Sequence, residues 1–257
     1  MTNFDAAFEA QETIKWIREW FLANGPRCKA VVGMSGGKDS TVVAKLLCEA
    51  LGPERVIGVI MPNGDMPDLG LAMKICKEFQ MPFIIMGIEG AYNAIASEYS
   101  LRYPNPQLSE QAKINLPARL RMVTLYAVSQ SMNGRVVNTC NLSEDWVGYS
   151  TRYGDSAGDF APIAGFLTDE VIAIGQALGI PDEWIFKTPS DGLCGKSDED
   201  NLGFTYAVLN DYIRTGVCDD PNVKARIDQM HIQNMFKMMP MSAYHPLREA
   251  RALHYPW

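Results

Sequence analysis

Histidine is nearly absent from this chain: only His231, His245 and His254 occur, all close to the C-terminus. Chemistry built on a histidine triad or a histidine-rich metal centre therefore has no material over most of the sequence. The six cysteines, Cys28, Cys48, Cys76, Cys140, Cys194 and Cys218, are scattered and form no Cys-x-x-Cys pair. That spacing argues for reduced thiols and against a zinc site or a thiol relay. Long apolar runs are missing too. Nothing approaches the ~18 residues that span a bilayer, and no basic-then-apolar leader opens the chain. No membrane association is expected, and the expected location is cytoplasmic. Positive charge is in deficit, with 23 Lys and Arg against 30 Asp and Glu and a net charge of -7. A nucleic-acid binder working by phosphate neutralisation is disfavoured on that ground. The 257 residues suffice for one large α/β domain over 1–257 with an ample core. What remains for catalysis is backbone, hydroxyls, Lys, Arg and carboxylates.

What is present is concentrated after the apolar run Ala30-Val31-Val32, in Gly33-Met34-Ser35-Gly36-Gly37-Lys38-Asp39-Ser40, ahead of a helix-compatible segment from Thr41 to Leu51. A strand, a glycine-rich turn and a helix start bring backbone N–H groups and the helix dipole to an anion. A Walker loop would need four residues between its glycines and Ser or Thr directly after Lys. Here three residues separate Gly33 from Gly37, and Asp39 intervenes between Lys38 and Ser40. A carboxylate inside a phosphate cradle makes sense beside a divalent cation. The octapeptide resembles the pyrophosphate loop of the N-type ATP pyrophosphatases, which cleave ATP between its α and β phosphates. The blander alternative is a capped glycine-rich turn. Deleting the Asp39 side chain is expected to cost within about 0.5 kcal/mol of stability if it belongs to no network.

Apolar periodicity predicts a helix over 4–23, with Phe4, Phe8, Ile14, Ile17 and Phe21 as its stripe, stopped by Asn24-Gly25-Pro26. Strands are predicted over 29–32, 56–61, 82–86 and 134–138, and helices over 68–79, 91–99, 110–132 (interrupted at Pro117), 168–178, 204–214 and 222–237. The segment 189–203 reads as a charged, turn-rich mobile loop with too little apolar content for core. The alternation calls for a doubly wound parallel sheet covered on both faces, with C-terminal helices and with ligands beyond the carboxyl ends of the strands.

A second cluster, Asn138-Thr139-Cys140-Asn141-Leu142-Ser143-Glu144, follows the fourth strand at that same edge. Glu144 reads either as a Mg2+ ligand converging with Asp39 or as the Glu of a capping box begun by Asn141. Further on, Gly148 to Ile163 packs glycines, aromatics and charges without a regular period. Together with Asn115-Leu116-Pro117-Ala118-Arg119-Leu120-Arg121-Met122, Pro189-Ser190-Asp191-Gly192-Leu193 and Ser197-Asp198-Glu199-Asp200-Asn201-Leu202-Gly203, it is similar to the NAD synthetase family over roughly residues 5 to 240.

The resemblance implies an adenine nucleotide alpha-hydrolase-like fold and a ligase that adenylates deamido-NAD with ATP and amidates it with ammonia. It implies that Gly33 to Ser40, Thr139 and Ser190 contact ATP, and that Asp39 and Glu144 hold Mg2+. Arg119, Arg152, Asp159, Phe236 and Lys237 match positions for deamido-NAD. Singly, the arginines read equally as surface charge, Asp159 as a turn cap and Phe236 as core. Two departures stand out. Thr168 occupies a position where the family often has Lys, and the loop around Cys194-Gly195-Lys196 is short, so Lys196 is the candidate to supply the missing charge on closure. The family also implies a homodimer, and Leu116, Leu120, Val123, Ala127 and Val128 on the long helix are candidates for its seam. Since the resemblance uses nearly the whole chain, free ammonia is the expected donor, with a separate glutaminase left open. Rival readings are another ATP pyrophosphatase, such as an amidotransferase module or a tRNA-modifying enzyme, or a nucleotide-binding subunit without turnover.

Overall fold

A computed structural model of the chain describes residues 4–102, 107–186 and 198–244. Its centre is a four-stranded parallel sheet in the order β3-β2-β1-β4, with β1 at Lys29–Gly33, β2 at Val56–Ile60, β3 at Phe83–Ile85 and β4 at Gly134–Val137. Alternation along the strands splits the core. Ala30, Val32, Val56 and Ile60 face one layer, while Val31, Ile57, Val59 and Val136 face the other.

The first layer is formed by α1 (Ala6–Asn24), α2 (Lys38–Leu51), α3 (Leu69–Glu78), α7 (Thr168–Ala177) and the short α8 (Asp182–Ile185). The α1 start is set by Asp5, whose carboxylate accepts the Ala7 and Phe8 N–H groups. Its buried stripe is Ala10, Thr13, Ile14, Ile17 and Phe21, whereas Phe4 and Phe8, expected in the stripe, are exposed. Phe4 precedes the helix and meets the Phe166 ring at its edge, with ring centres 6.2 Å apart, and Phe8 lies in the first turn off the buried stripe.

On the second face α5 (Glu110–Ser131) lays Met122, Leu125 and Val128 against β1, β2 and β4. The helix runs through Pro117 without ending. The preceding α4 (Glu89–Arg102) is longer than expected and buries no residue.

The third group is α6 (Leu142–Val147), α9 (Asp198–Leu202), α10 (Tyr206–Thr215) and α11 (Pro221–Met238), packed around Val147, Leu202, Phe204, Tyr206, Leu209 and Ile227. Here the expectation of a loop through 203 is corrected. Residues 198–202 are helical, anchored by the fully buried Leu202 and by hydrogen bonds that Glu199 accepts from the Tyr206 N–H and that the Asn201 and Leu202 carbonyls accept from Arg226. Residues 187–197, with Ser190 and Lys196, lie outside the described residues. The aperiodic segment after Gly148 is also ordered by pairing. Its Asp159 and Phe160 bond along the open edge of β4, and the Phe160 ring stacks on Trp20 at 4.3 Å.

Candidate active site

The strand order reverses at β1: β2 and β3 lie on one side of it and β4 on the other. A crevice opens at the carboxyl ends of strands where such a reversal occurs. The loops after β1 and β4 flank it.

Gly33 ends β1, and the buried Met34 plugs the turn into the core. Gly36 has φ of 81°, and a Cβ there would press on the Asp68 backbone oxygen at 3.3 Å, so this position requires glycine. Gly37 is the N-cap of α2. Its carbonyl accepts the hydroxyls of Ser40 and Thr41 at 3.1 and 2.8 Å, and Ser35 Oγ accepts the Gly37 N–H at 3.1 Å. The helix starts earlier than expected, at Lys38 rather than Thr41, so Lys38, Asp39 and Ser40 form its first turn. The positive end of the α2 dipole lies at that turn, which favours an anion there.

Lys38 is buried, with Nζ 2.9 Å from Asp39 Oδ2 and 5.9 Å from the centre of the Tyr206 ring. From the opposite loop, Asn141 Nδ2 donates to Asp39 Oδ1 at 3.2 Å. Asn141 also caps α6. Its Oδ1 accepts the Glu144 N–H, and Glu144 Oε2 accepts the Asn141 N–H, so the capping box foreseen as one alternative for Glu144 is formed. One residue thus touches both acids. Thr139 sits half-buried in the same loop. Among the described residues no group of three or more His, Cys, Asp and Glu side chains converges. The available donors are two carboxylates and hydroxyls, a hard-oxygen set suited to Mg2+ that borrows phosphate oxygens and water.

A second group lies beside the first. Arg119 on α5 donates to the Arg152 carbonyl at 3.3 Å, and the Arg152 guanidinium is held over Tyr153 and Phe236, 5.0 and 5.3 Å from their ring centres. Phe236 is 56% exposed, so it is not core. Lys237 Nζ donates to the Gly148 and Ser150 carbonyls at 2.8 and 3.3 Å. Arg119, Arg152, Phe236 and Lys237 therefore share one surface. Asp159 is engaged elsewhere, accepting the Val136 N–H at 2.7 Å and the Tyr126 hydroxyl at 3.3 Å. Those bonds fasten its loop to β4, while the residue itself remains exposed.

Sequence reasoning gave no role to Asp155 or Arg121, and for Asn141 it foresaw the helix cap but not the contact with Asp39. Desolvation by the surrounding loop pushes the Asp155 carboxyl up although the residue as a whole is exposed, while hydrogen bonds from Thr151 and the charge of Lys237 pull it down. Arg121 is shifted down by burial, offset in part by Asp155. Acid and base letters inside a glycine-rich run were the available signal, but their partners are too distant in sequence to be named from it.

Cys140 borders the acids and is buried. Burial foremost, then Glu144, Asp155 and Asp145, raise its thiol well above the ordinary range. Burial likewise pushes Cys48 up to about 12 and Cys76 up to about 11. A raised thiol pKa keeps the thiol protonated, leaving at most about one thiolate in a thousand at pH 8. Cys48, Cys76 and Cys140 should thus resist iodoacetamide at pH 8 in the folded protein and react once it is denatured. Peptide mapping by mass spectrometry checks this, and rapid native labelling of Cys140 would contradict it.

Residues 9–248 match the family model described as NAD synthase. The chain is 38% identical over 214 residues to the NH(3)-dependent NAD(+) synthetase of Thermococcus sibiricus, covering 83% of this chain and 82% of that protein. A solved structure of NMN synthetase from Francisella tularensis superposes with a TM-score of 0.85 at 29% identity, covering 96% of this chain and all of that one. The NH3-dependent NAD synthetase of Campylobacter jejuni superposes with a TM-score of 0.74 at 25% identity, over 95% and 100% of the two chains. The chain belongs to the NAD synthase family, ligases that use ATP to amidate deamido-NAD.

Proposed function

We propose that this protein joins ammonia to the nicotinate carboxylate of deamido-NAD, at the crevice between β1 and β4, with release of AMP and pyrophosphate. The observation that carries the reading is the convergence of two loops from strands far apart in sequence, tied together by the bond from Asn141 to Asp39. A carboxylate is a poor electrophile. Its attack on the α-phosphorus of ATP expels pyrophosphate and leaves a mixed anhydride, whose carbonyl ammonia then attacks as AMP departs. Little covalent chemistry falls to the protein, so its work is positioning and charge stabilisation.

In this reading the Gly33 to Ser40 loop binds ATP and pyrophosphate, and Lys38 neutralises phosphate charge, with Thr139 beside them. Asp39 and Glu144 hold Mg2+, which when bound neutralises phosphate oxygens as the pyrophosphate leaves. Arg119, Arg152, Phe236 and Lys237 bind the nicotinate nucleotide. The exposed ring and the stacked guanidinium suit a planar base and an anionic ribose phosphate. Asp159, exposed and fastened to β4 through the Val136 N–H, joins these residues as a deamido-NAD contact. Ser190 and Lys196 keep their inferred parts in ATP binding and closure. Free ammonia is the donor, with a glutaminase subunit as the other source.

A second reading concerns the acceptor. The similarity to an NMN synthetase makes nicotinate mononucleotide, the half-molecule, a rival substrate. Incubation with ATP, Mg2+ and ammonium, with either deamido-NAD or nicotinate mononucleotide, separates the two. AMP release that depends on deamido-NAD, with NAD as product, supports the first. AMP release with the mononucleotide alone supports the second. Release with neither would overturn both. Glutamine in place of ammonium should give no product without a partner.

The active unit in this reading is a homodimer with α4 and α5 at the seam. Met122, Leu125 and Val128 are spent on the chain's own sheet, but Ile95, Leu101, Ile114 and Val123 remain 44%, 79%, 47% and 66% exposed. Apolar area of that extent on two consecutive helices suits an isologous contact. Sedimentation equilibrium should give twice the chain mass at micromolar concentration, and a fully active monomer would count against the dimer.

A further inference from the structure

Asn141 is fully buried, and the proposed chemistry gives it no part. Its amide orientation follows from its partners. Oδ1 accepts the Glu144 N–H at 3.1 Å and the Thr168 hydroxyl at 3.3 Å, so the other end must be the NH2 group, and that end donates to Asp39 Oδ1 at 3.2 Å. Its backbone N–H reaches Glu144 Oε2 at 3.4 Å. Thr168 is itself buried, and its N–H donates to Ser143 Oγ at 3.0 Å, which in turn donates to Asn210 Oδ1 at 2.6 Å.

Asp39 is thus shared between two donors. Lys38 pulls on Oδ2, and Asn141 retains Oδ1. Without the amide, nothing described here opposes rotation of the carboxylate toward the ammonium. We infer that Asn141 is the positioning residue for the cation, aiming the Asp39 and Glu144 carboxylates at one point, with the Thr168 hydroxyl locking its amide. This rests on the reading in which those two acids hold Mg2+. It also gives Thr168 a task, since its hydroxyl reaches Asn141 Oδ1 at 3.3 Å.

The test uses paired variants. Asn141→Ser keeps a capping oxygen for α6 but lacks the amide that reaches Asp39. Asn141→Asp keeps the cap and sets one carboxylate against another. Thr168→Val removes the hydroxyl, and Thr168→Ser restores it. ATP binding is followed by calorimetry across a Mg2+ titration and in EDTA, with circular dichroism melting as the fold control.

Losing a partner that orients a metal ligand costs about 10–100-fold in metal affinity. The Mg2+ concentration for half-maximal binding should rise by about 10-fold or more in Asn141→Ser, further in Asn141→Asp and in the same direction in Thr168→Val. Thr168→Ser should fall back to near the parent, and ATP affinity in EDTA should stay unchanged in all four. An unchanged Mg2+ dependence in Asn141→Ser, or equal weakening with and without Mg2+, overturns the inference. If the Asn141 variants do not fold, the Thr168 pair decides by the same criterion. Asp39→Asn separates the two layers. If it shifts the Mg2+ dependence and the others do not, only the positioning role falls. If it does not, the metal reading falls and this inference with it.

Discussion

Asp39→Ala is expected to lower AMP and product formation by at least about a thousandfold while the protein stays folded, because in the proposed reading the interaction lost acts on the charge that develops on the leaving pyrophosphate. The stability cost will exceed the small value expected for a surface loop carboxylate. Asp39 belongs to a network, 2.9 Å from the nearly buried Lys38 ammonium and 3.2 Å from Asn141. Breaking a mostly buried pair leaves a charge and an amide donor to find other partners, at a cost of about 1–3 kcal/mol. Asp39→Asn keeps more of the hydrogen bonding and should melt closer to the parent, with turnover still lost. Single-turnover measurement of AMP, beside circular dichroism melting, checks both. Near-normal turnover in a folded Asp39→Ala protein would remove Asp39 from the chemistry.

Gly148→Ala should be the most damaging methyl group that can be added near the substrate surface. Gly148 ends α6 in the left-handed conformation, with φ of 64° and ψ of 34°. An alanine there is strained by about 1–2 kcal/mol before any contact is considered. Its Cβ would also occupy the position of the Asn234 Cβ on α11. That contact is backbone-proximal on both sides, so neither rotamer can yield. Moving α11 away strips the bonds that clamp it to α6: Asn234 to the Val147 carbonyl at 3.0 Å, His231 to the Trp146 carbonyl at 2.8 Å, and Lys237 to the Gly148 carbonyl at 2.8 Å. The combined loss is about 3–5 kcal/mol, a fall of roughly 6–20 °C in melting temperature for a chain of this size. Phe236 and Lys237 travel with α11, so the KM for the nicotinate nucleotide should rise by about tenfold or more while ATP still binds. An unchanged melting temperature and KM would show that α11 does not depend on this contact.

How far local pattern reaches is visible at particular residues. The turn at Gly33 to Gly37, the alternation of Val31 against Ala30 and Val32, and the cap at Asn141 with Glu144 were all legible, because each depends on a few consecutive residues and the intrinsic preferences of their backbones. The boundary at Lys38 was missed because the first turn of a helix carries the same residues as the end of an anion loop. Asp198–Leu202 was missed because a single buried Leu202 gives no period.

By itself, then, the sequence determined the four strands, the glycine-rich turn after the first of them and the cap at Asn141. Tertiary structure decided which loops meet. It set β4 rather than β3 beside β1, brought Asn141 to Asp39 across 102 positions, engaged Asp159 with β4 and turned Phe236 outward. The physical reason is range. Capping and alternation are settled within one or two turns of chain, whereas strand order and cross-loop contacts follow from burying both faces of the sheet at once. No window of the sequence contains that condition.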